Sequence, residues 1–124
     1  MRRLFVAFAP LLLLFTGCFT NTLPPETDGT KGRATLKIAL DSWMNGGKME
    51  DLKSGSPPIT VYDPDWDAGN KLVKYDIDPT DGRAGVDLLL KVTLSVAKGD
   101  GPAKDKKVNF SVAIGSQTVV VRKE

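Results

Sequence analysis

The sequence predicts an α+β domain: one amphipathic helix laid on a curved antiparallel sheet of four or five strands. Two observations predict it. Leu36, Ala39, Leu40 and Trp43 fall at i, i+3, i+4 and i+7, which places them on one face of a helix. From Ile59 onward the apolar residues instead alternate with polar ones in short runs, the period of half-buried strands. Roughly 90 residues from Ala34 to the end suffice for one small core and not for two. A lone helix over one face of a sheet satisfies both apolar surfaces with a single layer contact. A β-sandwich with one appended helix fits the same pattern and stays as the alternative.

The elements follow in order. Ile38 and Met44 widen the helical stripe, and Asn45-Gly46-Gly47 ends it, because these residues tolerate the left-handed backbone of a helix terminus. Lys48 to Lys53 forms a short turn before Ser54-Gly55-Ser56-Pro57-Pro58 breaks the chain. Ile59 and Val61 open the first strand, and Asp63-Pro64-Asp65 interrupts it. In the next strand Val73, Tyr75 and Ile77 share one face, with Leu72, Lys74 and Asp76 on the other. Asp78 to Gly85 reads as a turn, with Pro79 and Asp81-Gly82. Val86 to Ala97 is the longest strand, its inner side drawn by Val86, Leu88, Leu90, Val92, Leu94 and Val96, with Leu89 opposite. Gly99-Asp100-Gly101-Pro102 turns the chain; Val108, Phe110, Val112 and Ile114 alternate next; Val119 and Val121 line the last strand. Gly115-Ser116 suits a two-residue hairpin with glycine first.

Ahead of this domain stands a different composition. Arg2 and Arg3 precede an apolar run from Leu4 to Phe15, then Thr16, Gly17 and Cys18. A charged start, a short apolar middle and a small residue make an export signal. The run is about 12 residues where a bilayer-spanning helix needs about 20, and Pro10 interrupts it. The stretch Leu14-Phe15-Thr16-Gly17-Cys18 resembles the lipobox of bacterial lipoproteins, with Phe15 where the family carries leucine or another aliphatic residue. That resemblance implies cleavage between Gly17 and Cys18, a diacylglyceryl group on the Cys18 thiol with palmitate-type acylation, and a cell-envelope protein held on a bacterial membrane. In a Gram-negative cell, Phe19 after the cysteine implies the outer membrane, facing the periplasm. An ordinary secretory signal is the alternative.

Cleavage changes the charge. The chain carries 17 basic and 15 acidic residues, and two of the basic ones lie before Cys18, so the mature protein is neutral. The basic character of the whole chain therefore gives no reason to expect nucleic acid as a partner. Cys18 is the only cysteine, so no internal disulfide forms. The expected organisation is a signal over 1–17, a Thr/Pro/Gly-rich tether over 18–33 and one domain over 34–124.

The helix end, Ala39-Leu40-Asp41-Ser42-Trp43-Met44-Asn45-Gly46-Gly47, followed by Met49 to Leu52 and a string of strands, resembles the opening of cystatin-like and nuclear-transport-factor-like α+β rolls. Enzymatic members of that group use Asp, His or Tyr inside a deep cone-shaped pocket. This chain has no histidine, which removes the commonest general base and transition-metal ligand. Asp76 and Asp87 are the carboxylates left for such a role, and both fall on the solvent side of a strand. Gln117-Thr118-Val119-Val120-Val121 matches the Gln and first Val of the cystatin inhibitory loop, with Val121 in place of its glycine. No catalytic residue, cofactor or metal is expected. Asp63, Asp65 and Asp67 have the alternation of a calcium loop, but Ala68 and Lys74 stand where that loop needs Gly and Glu; side-chain-to-backbone hydrogen bonds in a turn explain Asp63 and Asp65 better. Lys98, Lys104, Lys106 and Lys107 alternate with Asp100 and Asp105 as a solvated hairpin tip, and Gly99-Asp100-Gly101 has no helix behind it to cradle a phosphate. Trp43 and Tyr75 face the core, leaving Trp66 as the aromatic expected on a partner or ligand surface. Two functions fit: a lipid-anchored interaction or assembly module with a protein partner in the envelope, or a small-molecule binder or degenerate enzyme using the concave side of the roll.

Overall fold

The computed structural model describes residues 25–123. The lipobox, Gly17 and Cys18 lie outside the described residues. The elements run α1 (Gly29–Met44), α2 (Met49–Lys53), β1 (Ile59–Tyr62), α3 (Pro64–Asp67), β2 (Lys71–Ala84), β3 (Asp87–Ala97), β4 (Lys104–Ile114) and β5 (Thr118–Lys123). The five strands make one open sheet in the order β1-β5-β4-β3-β2. A single sheet excludes the sandwich. The sheet is mixed rather than antiparallel throughout: β1 runs parallel to β5, pairing Ile59 with Thr118 and Val61 with Val120. The connection from β1 back to β2 passes through α3, and three successive antiparallel pairings then carry the chain to β5, alongside β1.

The helix starts earlier than its apolar stripe indicates. Asp28 caps it, its carboxylate accepting from Lys31 N at 3.0 Å, which satisfies one of the free N–H groups of the first turn. Residues 29–33, expected in the tether, are therefore helical, and Thr27 and Gly32 are buried. A methyl on Gly32 would collide with Leu88, so glycine is what lets the first turn of α1 sit on β3. Thr27 N donates to Val86 O and Thr27 Oγ1 accepts from Ile114 N, fixing the chain at the sheet end where β3 begins and β4 ends. Ile38 and Met44 do not widen the buried stripe; both are exposed.

Leu36, Ala39, Leu40 and Trp43 pack onto Leu88, Leu90, Val92, Leu94, Phe110, Val112 and Val120. Val120, not Val119 or Val121, supplies the inner face of β5. In β2 a register shift between Leu72 and Lys74 breaks the expected alternation: Leu72 is buried and Val73 lies exposed at the edge. A second shift between Ile77 and Asp81 absorbs Pro79, so strand continues to Ala84 where a turn was expected. The β4–β5 connection is a three-residue loop, Gly115-Ser116-Gln117, and Gly115 is not among the positive-φ glycines, so it is not the two-residue turn that Gly-Ser suggests. The other face of the sheet has no described element over it and is dressed with polar pairs, Ser95 donating to Asp105 and Ser111 to Asp87.

Candidate functional site

The densest chemistry lies at the end of the sheet opposite Thr27. β1 delivers Asp63 there, and Pro64 at the first position of α3 is preorganised for a helix start. The Asp63 carboxylate caps α3 by accepting from Asp65 N at 2.8 Å and Trp66 N at 3.1 Å. Asp65 turns back toward the sheet. Arg122 of β5 and Lys106 of β4 both reach it, at 2.7 Å and 2.9 Å, and Asn70 donates to its other oxygen at 3.1 Å. Arg122 also lies 3.4 Å from Asp63. The Arg122 and Asp63 side chains are 5% and 1% exposed, so the centre of this ion network is buried and Lys106 closes it from the surface.

The two carboxylates titrate in opposite directions. Burial pushes Asp63 up, and the Trp66 N–H, Arg122 and the Asp65 N–H only partly offset it. Burial opposes the Asp65 charge as well, but Lys106, Arg122 and Asn70 outweigh it and hold that carboxyl at about 2. Both carboxylates are committed to cations and backbone N–H groups. Among the described residues no three His, Cys, Asp or Glu side chains converge on a possible metal position.

Trp66 is buried rather than exposed. Its ring stacks on Trp43 with centroids 5.5 Å apart and planes 5° from parallel. Both indole N–H groups are used within the fold, Trp43 donating to Asn70 O at 2.9 Å and Trp66 to Gly47 O at 3.0 Å. The pair therefore clamps the end of α1 to α3, and only their edges reach a surface cleft of about 400 Å³ shared with Lys48, Met49 and Lys71.

The remaining sequence candidates separate. Asp76 is exposed and Asp87 half-buried; Asp76 pairs with Thr93 in the middle of β3 and Asp87 with Ala84 at its start, so the two do not converge. Gln117 is exposed in the last loop and Val119 to Val121 are paired within β5, without the geometry of a free inhibitory loop. Tyr75 is half-buried; its hydroxyl donates to Asp41 at 2.6 Å, and burial followed by that bond raises it to about 12. The hairpin lysines divide. Lys106 pairs with Asp65, while Lys98 and Lys104 line a second cleft of about 360 Å³ with Asp65, Val96, Gly101, Pro102 and Lys106.

Arg122 is absent from the sequence expectations, and Lys106, expected on a solvated hairpin tip, pairs with Asp65 instead. Their only signal was parity: each sits in phase with the inward residues of its strand, where a charge needs a buried partner. No family model, curated protein or solved structure matches this chain.

Proposed function

We propose that this chain is a lipid-anchored cell-envelope protein whose folded domain is a non-catalytic interaction or assembly module. Its fold is read as a small relative of the cystatin-like and nuclear-transport-factor-like rolls. One observation carries the choice of an interaction module over a small-molecule binder. Leu36, Leu40, Leu90 and Val92 are 0–2% exposed, so side chains fill the space between helix and sheet where a roll would hold a ligand. The clefts of about 400, 510 and 360 Å³ lie on the surface instead. The lipobox-like stretch ending at Cys18 supports the anchor, and the polar dressing of the outer face fits a domain that stands in water.

Two measurements test this reading. Growth with an alkyne palmitate analogue should label the wild type and leave Cys18→Ala unlabelled; equal labelling removes the anchor. Affinity capture from cross-linked membranes should then recover a stoichiometric protein partner with the wild type and lose it with Cys18→Ala. Turnover or tight retention of a metabolite by the purified protein would favour the small-molecule reading.

A further inference from the structure

We infer that the cleft at the β3–β4 hairpin receives an acidic peptide segment of the partner, an apolar side chain on its floor and carboxylates on its rim. The inference rests on the interaction-module reading and names its surface. Lys98 and Lys104 project at the cleft, both exposed, and neither has an acidic partner among the described residues. The third lysine, Lys106, and the buried Arg122 already neutralise Asp65 behind them. The acids nearest in sequence do not close the site: Asp105 is tied to Ser95 on the other face, and Asp100 stands on the hairpin tip outside the lining. What remains is a positive rim around Val96, Gly101 and Pro102. Unpaired ammonium groups around an apolar floor are complementary to carboxylates flanking an apolar residue.

The chemistry favours a peptide over a phosphate. Lysines are flexible point charges; the cleft has no free guanidinium fork and no helix N-terminus to fix a phosphate. Position agrees as well. The chain enters at Thr27, beside the start of β3 and the end of β4. β3 and β4 each run 11 residues, which sets the hairpin about 33 Å away. On an anchored protein the cleft therefore faces away from the membrane, toward a partner.

The test uses the full-length protein in neutral detergent micelles and a fluorescein-labelled peptide, Glu-Asp-Leu-Asp-Glu, read by anisotropy. Saturable binding is expected, weakened about tenfold by Lys98→Glu with Lys104→Glu and by raising salt from about 50 to 300 mM. Replacing the peptide leucine with serine should weaken it several-fold. Both lysines are exposed, so the double variant should keep the wild-type melting temperature. Unchanged binding in the double variant, no saturation with the wild type, or binding to phosphatidylglycerol vesicles without binding to the peptide would each overturn the proposal. Cys18→Ala, which cannot be lipidated, should bind the peptide as the wild type does, so a failure of the anchor and a failure of the cleft are told apart.

Discussion

Two buried regions hold this domain together by opposite physics. Between α1 and the sheet, Leu36, Leu40, Leu90, Val92 and Phe110 exclude water by shape alone. Under α3, Asp63, Asp65 and Arg122 are buried because each charge has a partner at a defined distance, and the partly exposed Lys106 completes the set. Apolar packing is non-directional, so it tolerates a change of shape when volume is kept. An ion network is directional: losing one member leaves the others charged in a poor solvent. The apolar region stabilises the layers against each other, and the charged one ties β1, β4, β5 and α3 into a single register.

Six substitutions would sharpen or break that contrast. The largest effect is expected at Arg122→Ala, which takes the buried cation from Asp63 and leaves Asp65 with Lys106 and Asn70: about 4 kcal/mol, seen as a melting temperature lowered by about 15–25 °C. A loss no greater than that of an exposed substitution would deny the network its role. Leu90→Ala should cost about 3 kcal/mol by leaving a cavity, whereas Leu90→Met should cost less than about 1.5 kcal/mol because the volume is retained; urea midpoints separate the two.

Acid then acts on one region only. Asp65 sits at about 2 against an ordinary 3.8, so its contribution is full above 3.8 and is lost as the pH falls toward 2, about 2 kcal/mol in all. Asp63 is raised, so its sign is reversed: its protonation on acidification relieves the cost of a buried charge. Over the acid range down to about pH 2, stability should therefore fall below about pH 4, less steeply in Asp65→Asn, while Asp63→Asn should lack the gain that the wild type makes above pH 3.8 as its raised carboxyl takes up a proton. Urea unfolding across that range checks the order, and parallel curves for all three proteins would contradict the assignment. The smallest effect is expected at Trp66→Phe, which keeps much of the stack on Trp43 and loses the hydrogen bond to Gly47 O: about 1 kcal/mol, measured by thermal unfolding.

The two regions also differ in how far they were legible. Leu36, Ala39, Leu40 and Trp43 announce their shared face through spacing, and Leu88 to Val96 announce theirs through alternation, since burial on one side writes its period into the chain. The first turn of α1 was hidden because Gly29, Thr30 and Gly32 are weak helix formers; its signal was Asp28 as a cap. Val119-Val120-Val121 carries no alternation, so which valine faces inward was not written locally. Trp66 reads as exposed because aspartates surround it, yet Asp63 and Asp65 turn toward the α3 backbone and the Arg122 and Lys106 cations.

By itself the sequence determined the α+β class, the helical stripe and the long hydrophobic strands, all of them set by neighbours in the chain. Only the tertiary structure decided that β1 lies parallel to β5, that Arg122 and Lys106 meet Asp63 and Asp65, and that the two tryptophans stack. Those contacts join residues tens of positions apart, and their energies exist only once the layers have brought the partners within hydrogen-bond and van der Waals reach.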